Sequence, residues 1–405
     1  MKVLLVSQPA SDGVFRYVEG LADFLLSRGI EVHLAYSDRG ACDRLAGLVE
    51  RVAAAGGQTL NLRVGNSPAP ADISALLELW KLIRNIDPDV IHAHSSKAGV
   101  LVRGLAIFGA KRRVFYTPHA YYRMNSRRGV KARFFHAIER LFKHVGTTLC
   151  CSLDEAAFAR ECVRVLPERQ HTITNGVDVT RFHPVHPEEI GALRAKYDLP
   201  AEALVLGTVG RFSAQKDPLT TYAALARIAS EVPNLFFVHL GKGELEPEVD
   251  ALLAQHGLAG RCRRISYLGD TAPFYRMLDG LVLASLFEGM SYAIIEAMAS
   301  NLPLILSRAP GNQDFAHYGL DHVQWAEPGN PESLAEAILA WRRQVAAGGA
   351  PPNHCSIAVE QFSMETGYTR LLGLYKNEPT SSYHPVQSVT EAKYPVAQPE
   401  TGSCE

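Results

Sequence analysis

A succession of short apolar runs, each set apart from the next by a longer stretch with helical periodicity, limits how this chain can fold more than any other feature. Residues 3–6, 32–36, 90–93, 114–117 and 148–152 form one series, and 204–209, 235–240, 265–268, 281–284, 302–306 and 323–325 form a second. A strand covered on both faces reads as an unbroken apolar run, and strands joined through helices pair in parallel. The pattern therefore predicts an α/β chain with two doubly wound parallel-sheet domains. Between the first two runs Val14, Val18, Leu21 and Leu25 recur on one helical face. After Asn175-Gly176-Val177-Asp178 the chain turns irregular, with Pro184, Pro187 and Pro200 interrupting it. This reading gives a first domain over 1–180, a linker over 181–203 and a second domain over 204–360. A helix over 361–377 follows, marked by Phe362, Leu371, Leu372 and Leu374, and then a tail over 378–405 rich in Pro, Ser, Thr, Gln and Glu. With no apolar periodicity, the tail is expected to be disordered. A length of 405 residues also exceeds what one hydrophobic core comfortably spans.

Composition excludes several classes. The chain is 47% hydrophobic and 20% charged, as in ordinary soluble globular proteins. Its seven cysteines, Cys150 and Cys151 adjacent, fit neither a zinc spacing nor a disulfide framework, which points to a reducing cytoplasm. The run Met1 to Val6 meets polar Ser7 and Gln8 at once, too soon for a signal peptide. The net charge of −1 hides an asymmetry: residues 1–180 hold 24 Lys and Arg against 17 Asp and Glu, and residues 181–405 hold 17 against 25.

The chemistry concentrates at the ends of the apolar runs, where ligands of doubly wound sheets bind. The segment Glu288-Gly289-Met290-Ser291-Tyr292-Ala293-Ile294-Ile295-Glu296 follows one such run. Ser291 is expected to cap a helix reaching about Ala299, which places Glu288 in the loop and Glu296 in the helix. Backbone amides at a helix N-terminus favour a phosphate, and carboxylates accept hydrogen bonds from paired hydroxyls. The ligand suited to that arrangement carries hydroxyls on either side of a diphosphate. The run at 204–209 leads into Gly210-Arg211, with Lys216 five residues further on; a guanidinium forks two phosphate oxygens and an ammonium neutralises a leaving group. In the first domain His119 follows Tyr116-Thr117-Pro118, and Gly13 lies in the expected loop after the first strand.

In this order, the Gly13 loop, Thr117-Pro118-His119, Asn175-Gly176-Val177-Asp178, Gly210-Arg211 with Lys216, Glu288-Gly289 through Glu296, and Glu327-Pro328-Gly329-Asn330, the chain resembles the retaining GT-B glycosyltransferases of family 4. The resemblance covers residues 1 to about 376. It implies two Rossmann-like domains facing a cleft, with a C-terminal helix crossing back towards the first. It implies a nucleotide-sugar donor held mostly by the second domain, an acceptor held mostly by the first, and no metal or other cofactor. The only Asp-x-Asp, Asp87-Pro88-Asp89, is explained by a turn before a buried strand. By the same resemblance Arg211 and Lys216 stabilise the departing diphosphate, Glu296 takes the ribose hydroxyls, Glu288 contacts the donor sugar, and His119 lies beside that sugar. Gly13, Gly289, Met290 and Ser291 complete the donor site. Retention in this family is explained by front-face attack, so no nucleophile is assigned. The chain departs from the family at Asp12-Gly13-Val14 and at Arg308-Ala309-Pro310-Gly311-Asn312, where relatives carry double glycines.

From Lys97 to Lys143 twelve basic residues, Lys97, Arg103, Lys111, Arg112, Arg113, Arg123, Arg127, Arg128, Lys131, Arg133, Arg140 and Lys143, face one acid, Glu139. Tyr121, Tyr122, Phe134, Phe135 and Phe142 are interleaved. A belt of this kind suits an anionic membrane surface; no nucleic-acid module is present, so nucleic acid is not an expected partner. The expectation is a cytoplasmic, metal-independent, retaining hexosyltransferase, peripheral on the inner face of the cell membrane. Its donor is a UDP-sugar first and GDP-mannose second, and its acceptor a saccharide or polyprenyl-linked sugar of bacterial polysaccharide assembly. A UDP-amino-sugar epimerase of the same fold and a catalytically silent sugar-nucleotide sensor are the alternatives.

Overall fold

The computed structural model describes residues 1–10, 12–65, 67–107, 113–122, 130–348 and 350–378. They fall into two compact units, one of Met1–Asn175 together with the segment that starts at Glu365, the other Gly176–Met364.

Unit 1 carries seven strands: β1 (Lys2–Ser7), β2 (Glu31–Tyr36), β3 (Thr59–Asn61), β4 (Val90–His94), β5 (Arg113–Thr117), β6 (Thr147–Cys150) and β7 (Gln170–Thr172). All pair in parallel, in the order β3-β2-β1-β4-β5-β6-β7. Val3, Leu4, Leu5 and Val6 are fully buried, because helices cover both faces of a sheet so connected. The helix Asp12–Ser27 buries Phe15, Val18, Leu21, Ala22 and Leu25. The order reverses between β1 and β4, which makes the loops after these strands the switch point of the sheet.

Unit 2 repeats the plan with six parallel strands: β8 (Leu204–Val209), β9 (Leu235–Leu240), β10 (Cys262–Ile265), β11 (Gly280–Leu283), β12 (Leu304–Ser307) and β13 (Val323–Ala326). Their order is β10-β9-β8-β11-β12-β13, so the switch point lies between β8 and β11.

Four expectations change in detail. Gly13 is not in a loop: the helix starts at Asp12, and Gly13 sits in its first turn, where the amides have no intrahelical partner to lose. The strand expected at 265–268 lies at Cys262–Ile265. The region 181–203 is not irregular throughout, for a helix spans Pro187–Lys196. Pro187 occupies a first-turn position that needs no N–H, and Glu188 and Glu189 suit the positive end of the helix dipole. Arg194 ties this helix into unit 2 by bonds to the carbonyls of Met277 and Ala203 and an ion pair with Asp279 at 2.8 Å. Finally, the expected helix over 361–377 is two helices, His354–Phe362 and Met364–Lys376. The break holds Ser363, which bridges to Val177, with the Val177 amide bonded to the Phe362 carbonyl at 2.8 Å.

The last helix belongs to unit 1. The Tyr368 hydroxyl donates to the Tyr17 carbonyl at 3.0 Å, and the Tyr375 hydroxyl lies 2.5 Å from His92 Nδ1. The tail expected at 378–405 lies, from residue 379 on, outside the described residues. Among the described residues no helix is long and apolar enough to cross a membrane.

Candidate functional site

In unit 2 the sequence-derived residues converge on the loops that follow β8 and β11. Gly210 and Arg211 leave β8, and the chain turns through Lys216 to Asp217, whose carboxylate accepts from the Thr220 amide and caps the helix Pro218–Ile228. A Cβ on Gly210 would press to 3.2 Å against the Lys216 stem, so glycine there lets the lysine fold back across the strand end. After β11, Ser285 is fully buried, Leu286 and Phe287 are exposed, and Glu288 is 7% exposed. The two loops are stitched together: the Leu286 amide donates to the Gln215 carbonyl at 2.8 Å, and Gln215 Nε2 to the Phe287 carbonyl at 3.1 Å.

Lys216 Nζ and Ser285 Oγ both donate to Glu288 Oε1, each at 2.5 Å. Of the three ammonium donors one is thereby committed, and two remain. Glu288 Oε2 has no hydrogen-bond partner among the described residues. Arg211 is exposed, and its guanidinium likewise has no partner among them.

The loop after β12 supports this arrangement from beneath. Its Pro310 carbonyl accepts from the Glu288 amide at 2.9 Å. Gly311, at φ +84°, passes so close that a Cβ would lie 2.4 Å from the Glu288 carbonyl oxygen. Only glycine fits that crossing, so the single glycine retained in Arg308-Ala309-Pro310-Gly311-Asn312 stands where the backbones meet. Asn312, fully buried, donates to Ser307 Oγ at 3.1 Å, and Ser307 donates to the Ser285 carbonyl at 2.6 Å.

Ser291 occupies the N-cap position of the helix Tyr292–Ala299 with extended backbone, but its hydroxyl makes no capping bond. The expected side-chain cap is thus absent, and the hydroxyl leaves the first-turn amides to other partners. Gly289 is half-buried, while Met290 is packed into the core of unit 2. Glu296, expected in the same helix, is 2% exposed, and the Tyr275 hydroxyl donates to its Oε2 at 2.5 Å.

In unit 1, His119 lies two residues beyond the carboxyl end of β5, with φ +55°, and Ala120 follows at φ +81°. Two successive left-handed residues without glycine persist only where neighbours hold them. The His119 ring is held on three sides: Nε2 is 3.1 Å from His94 Nδ1, Nδ1 is 3.6 Å from Cys151 Sγ, and the Tyr17 ring meets it edge-on at 5.0 Å. His94 packs in turn against His92, the rings tilted by 40° with centroids 4.0 Å apart, and His92 Nε2 is 2.8 Å from Thr117 Oγ1. Burial favours the neutral imidazoles. It lowers His119 to about 3 and carries His92 and His94 well below the usual range, the neighbouring histidines adding to the effect for those two. Burial also pushes the Cys151 thiol up. A neutral thiol and neutral rings are compatible with one chain of donors, Cys151 to His119 to His94. His94 Nε2, fully buried, ends that chain with no partner among the described residues.

The basic belt is not one surface. Arg103 is 2% exposed, paired with Glu139 at 2.8 Å and lying 3.8 Å over the Tyr116 ring, and Lys97 is paired with Asp72 at 2.6 Å. Arg103 is internal structure, because a buried cation needs a partner, and half-buried Lys97 is tied into an ion pair. Tyr121 and Phe142 are core residues as well. Arg113, Lys131 and Arg133 are exposed; Lys111, Arg112, Arg123, Arg127 and Arg128 lie outside the described residues. The helix Val130–Leu141, which carries Lys131 and Arg133, also exposes Phe134 and Leu141, and elsewhere in unit 1 the helix Ala71–Ile86 exposes Ile73, Leu77 and Trp80.

Residues 11–181 match the family described as Glycosyltransferase Family 4, and residues 203–343 match Glycosyl transferases group 1. The chain belongs to the family 4 glycosyltransferases. This glycosyltransferase is 32% identical over 250 residues to the UDP-Gal:alpha-D-GlcNAc-diphosphoundecaprenol alpha-1,3-galactosyltransferase of Escherichia coli, covering 60% of this chain and 63% of that one. It is 24% identical over 254 residues to the putative glycosyltransferase EpsD of Bacillus subtilis, covering 62% and 66%. It therefore spans less than two thirds of the length of either relative. Among solved structures it is similar to Anabaena Alr3699/HepE in complex with UDP, with a TM-score of 0.76 at 18% identity over 93% of this chain and all of that one. With its two parallel-sheet units, that likeness makes the fold GT-B.

Several residues of the site were not foreseen: Ser285, Asn312 and Tyr275 in unit 2, and Tyr17, His92, His94 and Cys151 in unit 1. The one signal available was His92-Ala93-His94 within a buried apolar run, since a buried histidine pair calls for partners.

Proposed function

We propose that this chain transfers a hexose, with retention and without a metal ion, from a nucleoside-diphosphate sugar to a saccharide or polyprenyl-linked acceptor in bacterial polysaccharide assembly. The observation that carries the reading is the cluster at the β8/β11 switch point, where Lys216 brings uncommitted ammonium donors against a carboxylate with one oxygen open, and Arg211, in the same loop after β8, is exposed with no partner among the described residues. The guanidinium and the two remaining ammonium donors engage the diphosphate, offsetting the charge that grows on it as the glycosidic bond breaks. Glu288 Oε2 accepts from a sugar hydroxyl, Glu296 is directed to the ribose, and the leaving phosphate takes the acceptor's proton. Glu288, already bonded to Lys216 and Ser285, is a binding group and not an attacking one.

A UDP-sugar is the preferred donor, in keeping with the UDP-Gal in the name of the E. coli relative, with GDP-mannose second. The protein is proposed to act in the cytoplasm. Reversible contact of the exposed cations and apolar side chains of unit 1 with an anionic membrane then brings a lipid-linked acceptor to it, each basic residue contributing about 1 kcal/mol near such a surface. Vesicle sedimentation indifferent to anionic lipid would remove the membrane part alone.

The test is a thermal-shift screen over UDP-, GDP-, ADP- and dTDP-sugars followed by transfer assays with the stabilising donor. Stabilisation by UDP-sugars and a retained anomer in the product are expected. Free epimerised sugar nucleotide without acceptor, or binding without any turnover, would replace this reading with the epimerase or the sensor.

A further inference from the structure

We infer that Glu155 is a positioning residue: its carboxylate clamps the loop that carries His119 and fixes where that imidazole stands. The inference rests on the transferase reading only for what His119 does; the clamp itself is geometry within unit 1.

Glu155 lies in the first turn of the short helix Leu153–Phe158, capped by Ser152 Oγ, which accepts from the Glu155 amide at 3.0 Å. It is 1% exposed. Its two oxygens are divided between two backbone amides: Ala120 N–H donates to Oε1 and Cys151 N–H to Oε2, both at 2.6 Å. These amides belong to the segments that hold His119 in place. Ala120 is the second of the two left-handed residues, and Cys151 supplies the thiol 3.6 Å from His119 Nδ1. One carboxylate thus ties the end of β5 to the end of β6 on both sides of the histidine. Among the described residues no cation is paired with it, and burial raises its carboxyl to about 7 against the lowering effect of the two amide bonds. A buried acid placed without a cation against two amides is costly as mere filling. Its geometry is that of a bidentate acceptor for a strained loop, whose two amides only a carboxylate can accept at once.

Glu155→Gln tests this, since it keeps the shape but turns an NH2 towards one of the amides. The full-length variant is expected to fold but to melt several degrees below wild type, because one buried amide loses its acceptor, and to bind UDP with unchanged Kd, because the nucleotide is proposed to sit in unit 2. Its kcat is expected to fall about a hundredfold, the scale on which a misplaced group about 1 Å away acts. Ala120→Gly removes the cost of the left-handed conformation, so adding it should restore part of the lost kcat. Wild-type kcat in Glu155→Gln would overturn the inference, as would an equal loss of UDP affinity. If Glu155→Gln does not fold, Glu155→Asp, one methylene shorter, takes its place with the same expectations. Hydrogen exchange separates this from a failure of the transferase reading. The Ala120 and Cys151 amides should be strongly protected in wild type, and one should lose protection in Glu155→Gln, whether or not any sugar is transferred. Rapid exchange of both in wild type would sink the clamp by itself.

Discussion

Replacing Lys216 by methionine removes the ammonium and keeps most of the stem that crosses Gly210. In the native structure Nζ is 2.5 Å from Glu288 Oε1, with side-chain exposures of 21% and 7%. A hydrogen bond between charged groups at such a site contributes about 1.5–3 kcal/mol net, and stranding one partner of a buried pair costs more. With Ser285 Oγ still donating to the carboxylate, Lys216→Met should destabilise unit 2 by about 3 kcal/mol and Glu288→Gln by about 2 kcal/mol. The double variant should then cost about 2 kcal/mol less than their sum. The assay is urea unfolding in a Trp80→Phe background, which leaves Trp325 and Trp341, both in unit 2, as the fluorescent reporters. The coupling should change little between low and high salt, since the pair is mostly sheltered. Costs that add within about 0.5 kcal/mol would refute the pairing and with it the idea that Lys216 is held ready beside the sugar carboxylate. In the same variants Lys216→Met should lower kcat more than it raises the donor Kd, because it acts on charge that appears in the transition state.

Arg211→Ala should behave oppositely in the stability assay: an exposed, unpaired guanidinium leaves nothing stranded, so stability should change by less than about 0.5 kcal/mol while UDP affinity by calorimetry falls about tenfold. Glu296→Ala should weaken donor binding and also destabilise unit 2 by about 1–3 kcal/mol, because the Tyr275 hydroxyl loses its acceptor; an unaffected donor Kd would remove Glu296 from the site. Acid should weaken unit 1, as followed by circular-dichroism melts between pH 7.5 and 5. His92, His94 and His119 titrate lower in the fold than in the unfolded chain, so between pH 6.5 and the folded values the unfolded state binds more protons and stability is lost as pH falls. Glu155, raised to about 7 from 4.5, contributes with the opposite sign, losing stability as pH rises through that window. Three histidines outweigh one acid, and a melting temperature that climbs on acidification would contradict the assignment.

Much of the sheet architecture could be read because its central strands are covered on both faces and are therefore apolar throughout, as in β1 and β11. The edge strands β3 and β7 escaped notice for the converse reason: Thr59-Leu60-Asn61 and Gln170-His171-Thr172 are half-buried and mostly polar. The helix at Pro187–Lys196 was hidden by its proline, which breaks a helix interior but suits a helix start. At the site the charged residues were legible as types near strand ends. Their pairing was not: Lys216 and Glu288 are 72 residues apart, and the parallel pairing of β8 with β11 brings the loops that carry them together. Tyr375 reaches His92 across 283 residues, a contact that no local pattern encodes. Arg103 and Lys97 looked like surface charge for the same reason, since Glu139 and Asp72, their partners, come from other helices.

The most direct measurement is a structure of the protein crystallised with a UDP-sugar or its non-transferable analogue. The account places the diphosphate within hydrogen-bond reach of Arg211 and Lys216, with a sugar hydroxyl on Glu288 Oε2 and Lys216 still bonded to Oε1. A nucleotide bound away from the loops after β8 and β11, with the Lys216–Glu288 pair untouched by ligand, would contradict it.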